Sequence, residues 1–188
     1  MLSFTAVKIN HNFELIISNF KERNDIMKMI VCVSENFGIG NNGDLLFSLP
    51  PDMKFFRETT LGKVVVMGRG TLDSFPGGKA LKNRTNVVIT RDKNFAREDV
   101  VSFNSKDDVL EYVSQFDSDD VYIIGGAQIY ELFRDACDEA LVTKVYKTVP
   151  CDAYFFDIDK DPCWKLVQEG EKLIHEGLEF AFCKYARV

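Results

Sequence analysis

Val64-Val65-Val66-Met67-Gly68-Arg69-Gly70-Thr71 and, further along, Val121-Tyr122-Ile123-Ile124-Gly125-Gly126-Ala127-Gln128 share one pattern. Each is a short apolar run rich in β-branched residues, as in a buried strand. Each is cut off by glycine and passes into a helix-like segment. Glycine lets backbone N–H groups come close to a phosphate, and a helix N-terminus at that point favours negative charge. Two such junctions in one chain point to a ligand with more than one phosphate, and Arg69 to an extra phosphate that needs a cation. The plainer alternative is that the glycines only turn each strand into its helix.

Working outward from these runs, residues 29–33 read as a first buried strand. Residues 34–47 follow, rich in glycine and asparagine (Gly38, Gly40, Asn41, Asn42, Gly43), a long connection of the kind that is a functional lid or is disordered. A helix starts after it, capped by Ser48 or its neighbour, with Pro50 and Pro51 suited to the first turn. Strands are expected over residues 63–67, 86–90, 100–103, 121–124 and 140–149. Helices are expected over 106–115, with Val109, Leu110 and Val113 on one face, and over 128–136. The runs 164–169 and 178–187 follow one another without a helix between, so they should pair antiparallel at the sheet edge. The alternation predicts a single α/β domain, a mainly parallel twisted sheet with helices on both faces and a C-terminal antiparallel hairpin.

The chain has 188 residues, 46% of them hydrophobic and 16 of them Phe, enough to bury a sizeable core. A net charge of −6 argues against nucleic acid or an anionic membrane as a partner, so a phosphate ligand needs a local cluster, with Arg69, Arg84 and Arg91 as candidates. The five cysteines (Cys32, Cys137, Cys151, Cys163, Cys183) are scattered, with no C-x-x-C pair, which suits reduced thiols in the cytoplasm. His11 and His175 lack metal-ligand spacing, so no metal is expected. Residues 1–26 carry no signal-peptide pattern and read as an N-terminal extension to a domain over 27–188. Phe13, Leu15 and Ile17 alternate there with Glu14, Ile16 and Ser18, weakly strand-like; a tail, or a true start at Met27 or Met29, is the alternative.

Asp52 and Phe56 lie four apart on the predicted helix and share a face. A carboxylate beside an aromatic ring suits a flat, nitrogen-rich heterocycle. Equally, an acid in a first helical turn favours the macrodipole and Phe is commonly core. Arg84, where a loop enters a buried strand, is placed for a bidentate pair with a ligand carboxylate, or else for a surface salt bridge.

Four segments in order resemble dihydrofolate reductase: Gly38-Ile-Gly-Asn-Asn-Gly-Asp-Leu-Leu-Phe-Ser-Leu-Pro-Pro-Asp-Met-Lys-Phe-Phe, Val66-Met-Gly-Arg-Gly-Thr, Asn83-Arg-Thr-Asn-Val-Val-Ile-Thr-Arg and Ile123-Ile-Gly-Gly-Ala-Gln-Ile-Tyr. The resemblance runs from about Met29 to the C-terminus and implies an eight-stranded sheet. It implies NADPH-dependent reduction of 7,8-dihydrofolate to tetrahydrofolate, hydride going to C6, in a cytoplasmic monomer that antifolates target. Asp52 would bind the pterin N3 and 2-amino group and promote protonation at N5, with Thr143 hydrogen-bonded to it. Ile30, Cys32, Met53, Phe56 and Ile124 would line the substrate pocket, and Arg84 would take the glutamate α-carboxylate. Ile39 and Gly40 would close over the nicotinamide. Gly68, Arg69 and Thr71, with Gly125, Gly126, Ala127, Gln128, Ile129 and Tyr130, would hold the pyrophosphate. Thr90 and Arg91 would meet the adenosine 2′-phosphate, and no acid is expected where it could take a ribose hydroxyl. The chain departs from the family pattern at Phe47, where the lid carries tryptophan, at Gly70, often a second cation or histidine, and at Lys82, commonly proline. Two other readings are a reductase of the same fold acting on a pyrimidine-like substrate, as in riboflavin synthesis, and a non-catalytic folate- or nucleotide-binding homologue.

Overall fold

A computed structural model describes residues 27–188, so the extension expected over 1–26 lies outside the described residues. The chain opens with β1 (Met27–Ser34), β2 (Gly38–Asn41) and β3 (Asp44–Leu45), then α1 (Pro50–Thr60), β4 (Val64–Gly68) and α2 (Arg69–Ser74). Next come β5 (Thr85–Ile89), β6 (Val101–Phe103), α3 (Lys106–Val113), β7 (Val121–Gly125) and α4 (Ala127–Phe133). The last elements are β8 (Cys137–Val145), β9 (Ala153–Tyr154), β10 (Trp164–Glu169), β11 (Leu173–His175) and β12 (Leu178–Arg187).

Eight strands form the main path β10-β12-β8-β1-β7-β4-β5-β6, and β11 pairs with β12 as a ninth. The six strands from β8 to β6 pair in parallel, while β12 runs antiparallel to β8 and to β10, which is the expected C-terminal hairpin. The extra strand arises because the turn at Glu176 and Gly177, both at positive φ, folds Leu173–His175 back onto the start of β12.

Alternation along the parallel strands sorts side chains into two cores. Met29, Val31, Val64, Val66, Val87, Val121 and Ile123 face one side, where Val109 and Val113 of α3 and Tyr130 and Phe133 of α4 cover them. Ile30, Val65, Met67, Val88, Tyr122 and Ile124 face the other, under Leu72 of α2 with Phe55 and Phe56 of α1. The run that reads as uniformly apolar in sequence is therefore buried on both faces.

Several boundaries differ from the sequence reading. The connection 34–47 is not structureless: β2 and β3 form a hairpin, and β9 adds a third strand to make a small separate sheet. The strand expected over 140–149 begins earlier, at Cys137, because Cys137 pairs with Met27, and it ends at Val145, where Tyr146 bonds across to Glu179. The helix expected over 128–136 is α4 followed by a 3₁₀ turn, Arg134–Ala136. Ser48 does not cap α1. The N-cap is Leu49, buried with Val145 and Phe180, and it offers no side-chain oxygen. With prolines at 50 and 51 the first turn has fewer N–H groups in need of a cap.

Candidate active site

The carboxyl ends of β4 and β7 lie side by side, Met67 opposite Gly125, so the two glycine junctions meet in space. Gly125 has φ +115, and a Cβ there would come 3.0 Å from the Tyr130 ring. A Cβ on Gly68 would come 3.0 Å from Ile129 of the neighbouring junction, and one on Gly126 would lie 3.5 Å from the Thr71 hydroxyl. Gly125, by its positive φ and the Tyr130 ring, and Gly68, by the Ile129 side chain, are therefore the two positions where a side chain would be strained or crowded, while a Cβ on Gly126 would make only an ordinary contact. Gly70, by contrast, has nothing within 4 Å of its open face. The two junctions bring Gly68, Arg69, Thr71, Gly125, Gly126, Ala127, Gln128, Ile129 and Tyr130 into one region.

On the neighbouring strand, β5 pairs with β4 as far as Gly68 opposite Ile89, so Arg69 and Thr90 leave the sheet together. Arg91 is exposed and has no ion-pair partner among the described residues. Arg69 is different: Nη1 lies 2.9 Å from Asp92 Oδ2 and Nε 3.5 Å from Asp73 Oδ2, and the guanidinium sits over the Phe95 ring. The purely cationic corner expected from sequence thus contains a carboxylate. Its signal, an acid directly after Arg91, was in plain view but gave no hint of its direction.

The first turn of α1 holds the acid. Asp52 accepts a hydrogen bond from the buried Thr143 hydroxyl of β8, while burial pushes its pKa up and that bond moderates the rise. Cys32 of β1 and Tyr130 of α4 are close enough to feel the Asp52 charge. Both are held well above their ordinary pKa, chiefly by burial and secondly by that charge. The Tyr130 hydroxyl donates to the Ile30 carbonyl at 2.8 Å, tying α4 to β1 beneath the site. Ile30, Ile124 and Phe56 belong to one apolar cluster; Cys32 and Phe47 pack on the adjoining group of Leu49, Val145 and Phe180. Of the expected lining residues only Met53 stands apart, 55% exposed and outside every apolar cluster, because it lies a quarter-turn from Asp52 around the helix.

Arg84 sits at the other end of α1. Its Nη2 donates to the Arg57 carbonyl at 2.9 Å, Nη1 to the Lys82 carbonyl at 2.7 Å and Nε to the Thr60 hydroxyl at 3.3 Å. No carboxylate of the described residues pairs with it, so the surface salt bridge is not formed; the guanidinium is anchored by neutral oxygens with its charge uncompensated. Burial and the adjacent Arg57 lower its pKa from the ordinary arginine value. From Asp52 to Thr60 is eight residues of helix, about 12 Å along the axis. Acid and cation thus bracket one face of α1.

Ile39 and Gly40 lie on β2. The hairpin they belong to is latched from outside: the Asn42 N–H donates to Asp152 Oδ2 at 2.9 Å, the Asp152 N–H to the Gly40 carbonyl at 3.1 Å and the Phe155 N–H to the Phe37 carbonyl at 2.8 Å. Sequence reading missed this latch, since residues 151–155 carry no periodic signal and act on partners more than a hundred positions away.

A twisted parallel sheet with its glycine turns, acid and lid gathered at the carboxyl ends of the strands defines an α/β enzyme domain of the nucleotide-binding kind. A family model described as dihydrofolate reductase matches residues 26–187. The dihydrofolate reductase of Schistosoma mansoni is 34% identical over 180 residues, covering 85% of this chain and 95% of the relative. That of Buchnera aphidicola is 30% identical over 156 residues, covering 83% and 92%. A solved dihydrofolate reductase from Enterococcus faecalis, complexed with NADP(H) and RAB-propyl, superposes with a TM-score of 0.78 at 29% identity, covering 87% of this chain and 96% of its own. The chain belongs to the dihydrofolate reductase family. Among the described residues no helix is long and apolar enough to cross a membrane.

Proposed function

We propose that this chain reduces 7,8-dihydrofolate to 5,6,7,8-tetrahydrofolate with NADPH, hydride entering at C6 and a proton at N5. The observation that carries this reading is the bracket on α1: a partly buried acid, Asp52, at one end and an uncompensated cation, Arg84, at the other. A substrate with an N–H-rich ring at one end and a carboxylate at the other matches that spacing and those charges.

The cofactor, when bound, supplies the hydride. Two glycine turns stripped of Cβ, the Thr71 hydroxyl, Arg69, and Thr90 with Arg91 suit a dinucleotide that carries a pyrophosphate and a 2′-phosphate. Asp52 as a carboxylate accepts two N–H donors from the pterin, at N3 and the 2-amino group, in a planar fork. Its negative charge favours the N5-protonated pterin, which is the electrophilic form. Thr143 holds that carboxylate in place. Ile30, Cys32, Phe56 and Ile124 enclose the ring and aryl portions, the exposed Met53 lies at their rim at most, and Arg84 binds the α-carboxylate. The hairpin bearing Ile39 and Gly40 covers the reacting atoms and excludes water that would screen the Asp52 charge. The catalytic unit in this reading is residues 27–188, a monomer, with 1–26 as an extension; a chain starting at Met27 keeps its kcat. The test is loss of NADPH absorbance on adding dihydrofolate. No turnover with dihydrofolate, or turnover with a tailless pyrimidine instead, overturns the reading.

A further inference from the structure

The Arg69 corner contains a negative charge that the cofactor reading does not use. Asp92 is not a loose surface acid. Its N–H donates to the Thr90 hydroxyl at 3.2 Å, and its Oδ1 accepts the Asn94 N–H at 3.0 Å. Its carbonyl accepts the Phe95 N–H at 3.2 Å and the Asn104 amide at 3.4 Å. The turn therefore fixes the carboxylate with one oxygen engaged and the other, Oδ2, 2.9 Å from Arg69 Nη1. Asp73 approaches the same guanidinium from α2 at 3.5 Å, and Phe95 lies beneath it at 5.1 Å. Arg69, the cation that follows Gly68, is thus already engaged by an anion of its own chain. The pair is half exposed, 47% at Arg69 and 43% at Asp92, so an incoming dianion can displace the carboxylate. The displaced charge nonetheless stays tethered a few ångströms away and repels the phosphate.

We infer that Asp92 is a built-in competitor for the cofactor 2′-phosphate and a specificity-determining residue that narrows the preference for NADPH over NADH. A dinucleotide with a free 2′-hydroxyl leaves the Arg69–Asp92 pair intact and can donate to the carboxylate, whereas a 2′-phosphate held at Thr90 and Arg91, which leave the sheet beside Arg69, draws on Arg69 as well and must break the pair. The inference rests on the cofactor reading above.

The test is calorimetric titration of the parent, Asp92→Asn, Arg69→Gln and the double variant with NADPH, NADH and 2′,5′-ADP, without turnover. Asparagine keeps the acceptor for the Asn94 N–H, so the turn survives. Asp92→Asn should bind NADPH and 2′,5′-ADP more tightly by on the order of tenfold, the scale of one charge removed from about 5 Å in a partly solvated site, with NADH changed less than about twofold. In the Arg69→Gln background the same substitution should tighten NADPH less, since no guanidinium is released. An unchanged NADPH affinity in Asp92→Asn, or equal tightening of both cofactors, overturns the role of Asp92 while leaving the cofactor reading standing. A parent that binds none of the three overturns both.

Discussion

The two ends of the site are built on opposite electrostatic terms. At the acid end Asp52 is partly withdrawn from water, bonded to one buried hydroxyl and placed among Cys32 and Tyr130, both kept neutral by burial. At the basic end Arg69, Arg91 and Asp92 are exposed, and the Arg69–Asp92 pair is open to water. A buried charge acts strongly because little solvent screens it, and it costs the fold something to keep. An exposed pair is screened and easily exchanged. The acid end is therefore suited to chemistry on one ring, and the basic end to a cofactor that must arrive and leave.

Removing the buried charge should have the largest effect. Asp52→Asn keeps the shape and loses the carboxylate, and kcat at neutral pH should fall about 10²- to 10⁴-fold, recovering in part in acid as substrate arrives protonated. Near-parental kcat at pH 7 would refute the assignment. The same variant should be the more stable protein. Because the folded-state pKa of Asp52 is raised, the folded protein carries a penalty above that pKa that vanishes below the unfolded value of about 3.9. The Tm advantage of Asp52→Asn should therefore be greatest at neutral pH and disappear as pH falls toward 4. A constant advantage across that range would show that the gain is not electrostatic.

Arg84→Leu comes next. Loss of a desolvated charge-assisted pair costs about 2–5 kcal/mol, which should appear in KM for dihydrofolate while NADPH affinity holds. Diaminopyrimidines without a glutamate tail should bind this variant like the parent. Parallel weakening of both would mean that Arg84 mainly supports the loop through Lys82 and Arg57.

Thr143→Val should be milder. It removes a hydrogen bond to a charged group, roughly a tenfold effect on kcat, and since that bond lowers the Asp52 pKa, the acid limb of the pH profile should move to higher pH. An unmoved profile would make Thr143 a packing residue only. Arg91→Ala, at the exposed end, should weaken NADPH binding by less than about tenfold and lose most of that effect in high salt. A salt-independent loss would mean that the basic corner is desolvated after all, and the contrast between the two ends would fail.

The same contrast explains what could be read without coordinates. The strands were legible because burial on both faces of a parallel sheet leaves an uninterrupted apolar run, as at Val64–Gly68 and Val121–Gly125. The acid end was legible because Asp52 and Phe56 are linked by one helical turn, a local relation. What escaped depends on distant partners. Asp152 latches a hairpin more than a hundred residues upstream, and Cys137 becomes strand only through Met27. Leu49 caps a helix with no capping atom because its side chain is needed in a cluster with Val145 and Phe180. Asp92 was visible as an acid, but the turn that aims it at Arg69 is set by Thr90, Asn94 and Asn104 together.

The strand order also governs how the chain can be made. The first described strand to leave the ribosome, Met27–Ser34, belongs at the centre of the sheet, and its two neighbours there are Val121–Gly125 and Cys137–Val145. Until residues 121–145 have emerged this apolar segment lacks its lateral partners, and native pairing across so large a separation is slow to form. Chains halted before residue 145 should therefore stay unfolded and prone to association, and the fold should appear all at once after β8 and β12 have emerged rather than grow element by element. Fusing a bulky, fast-folding protein ahead of Met27 should change the yield of soluble protein more than the stability of the finished fold.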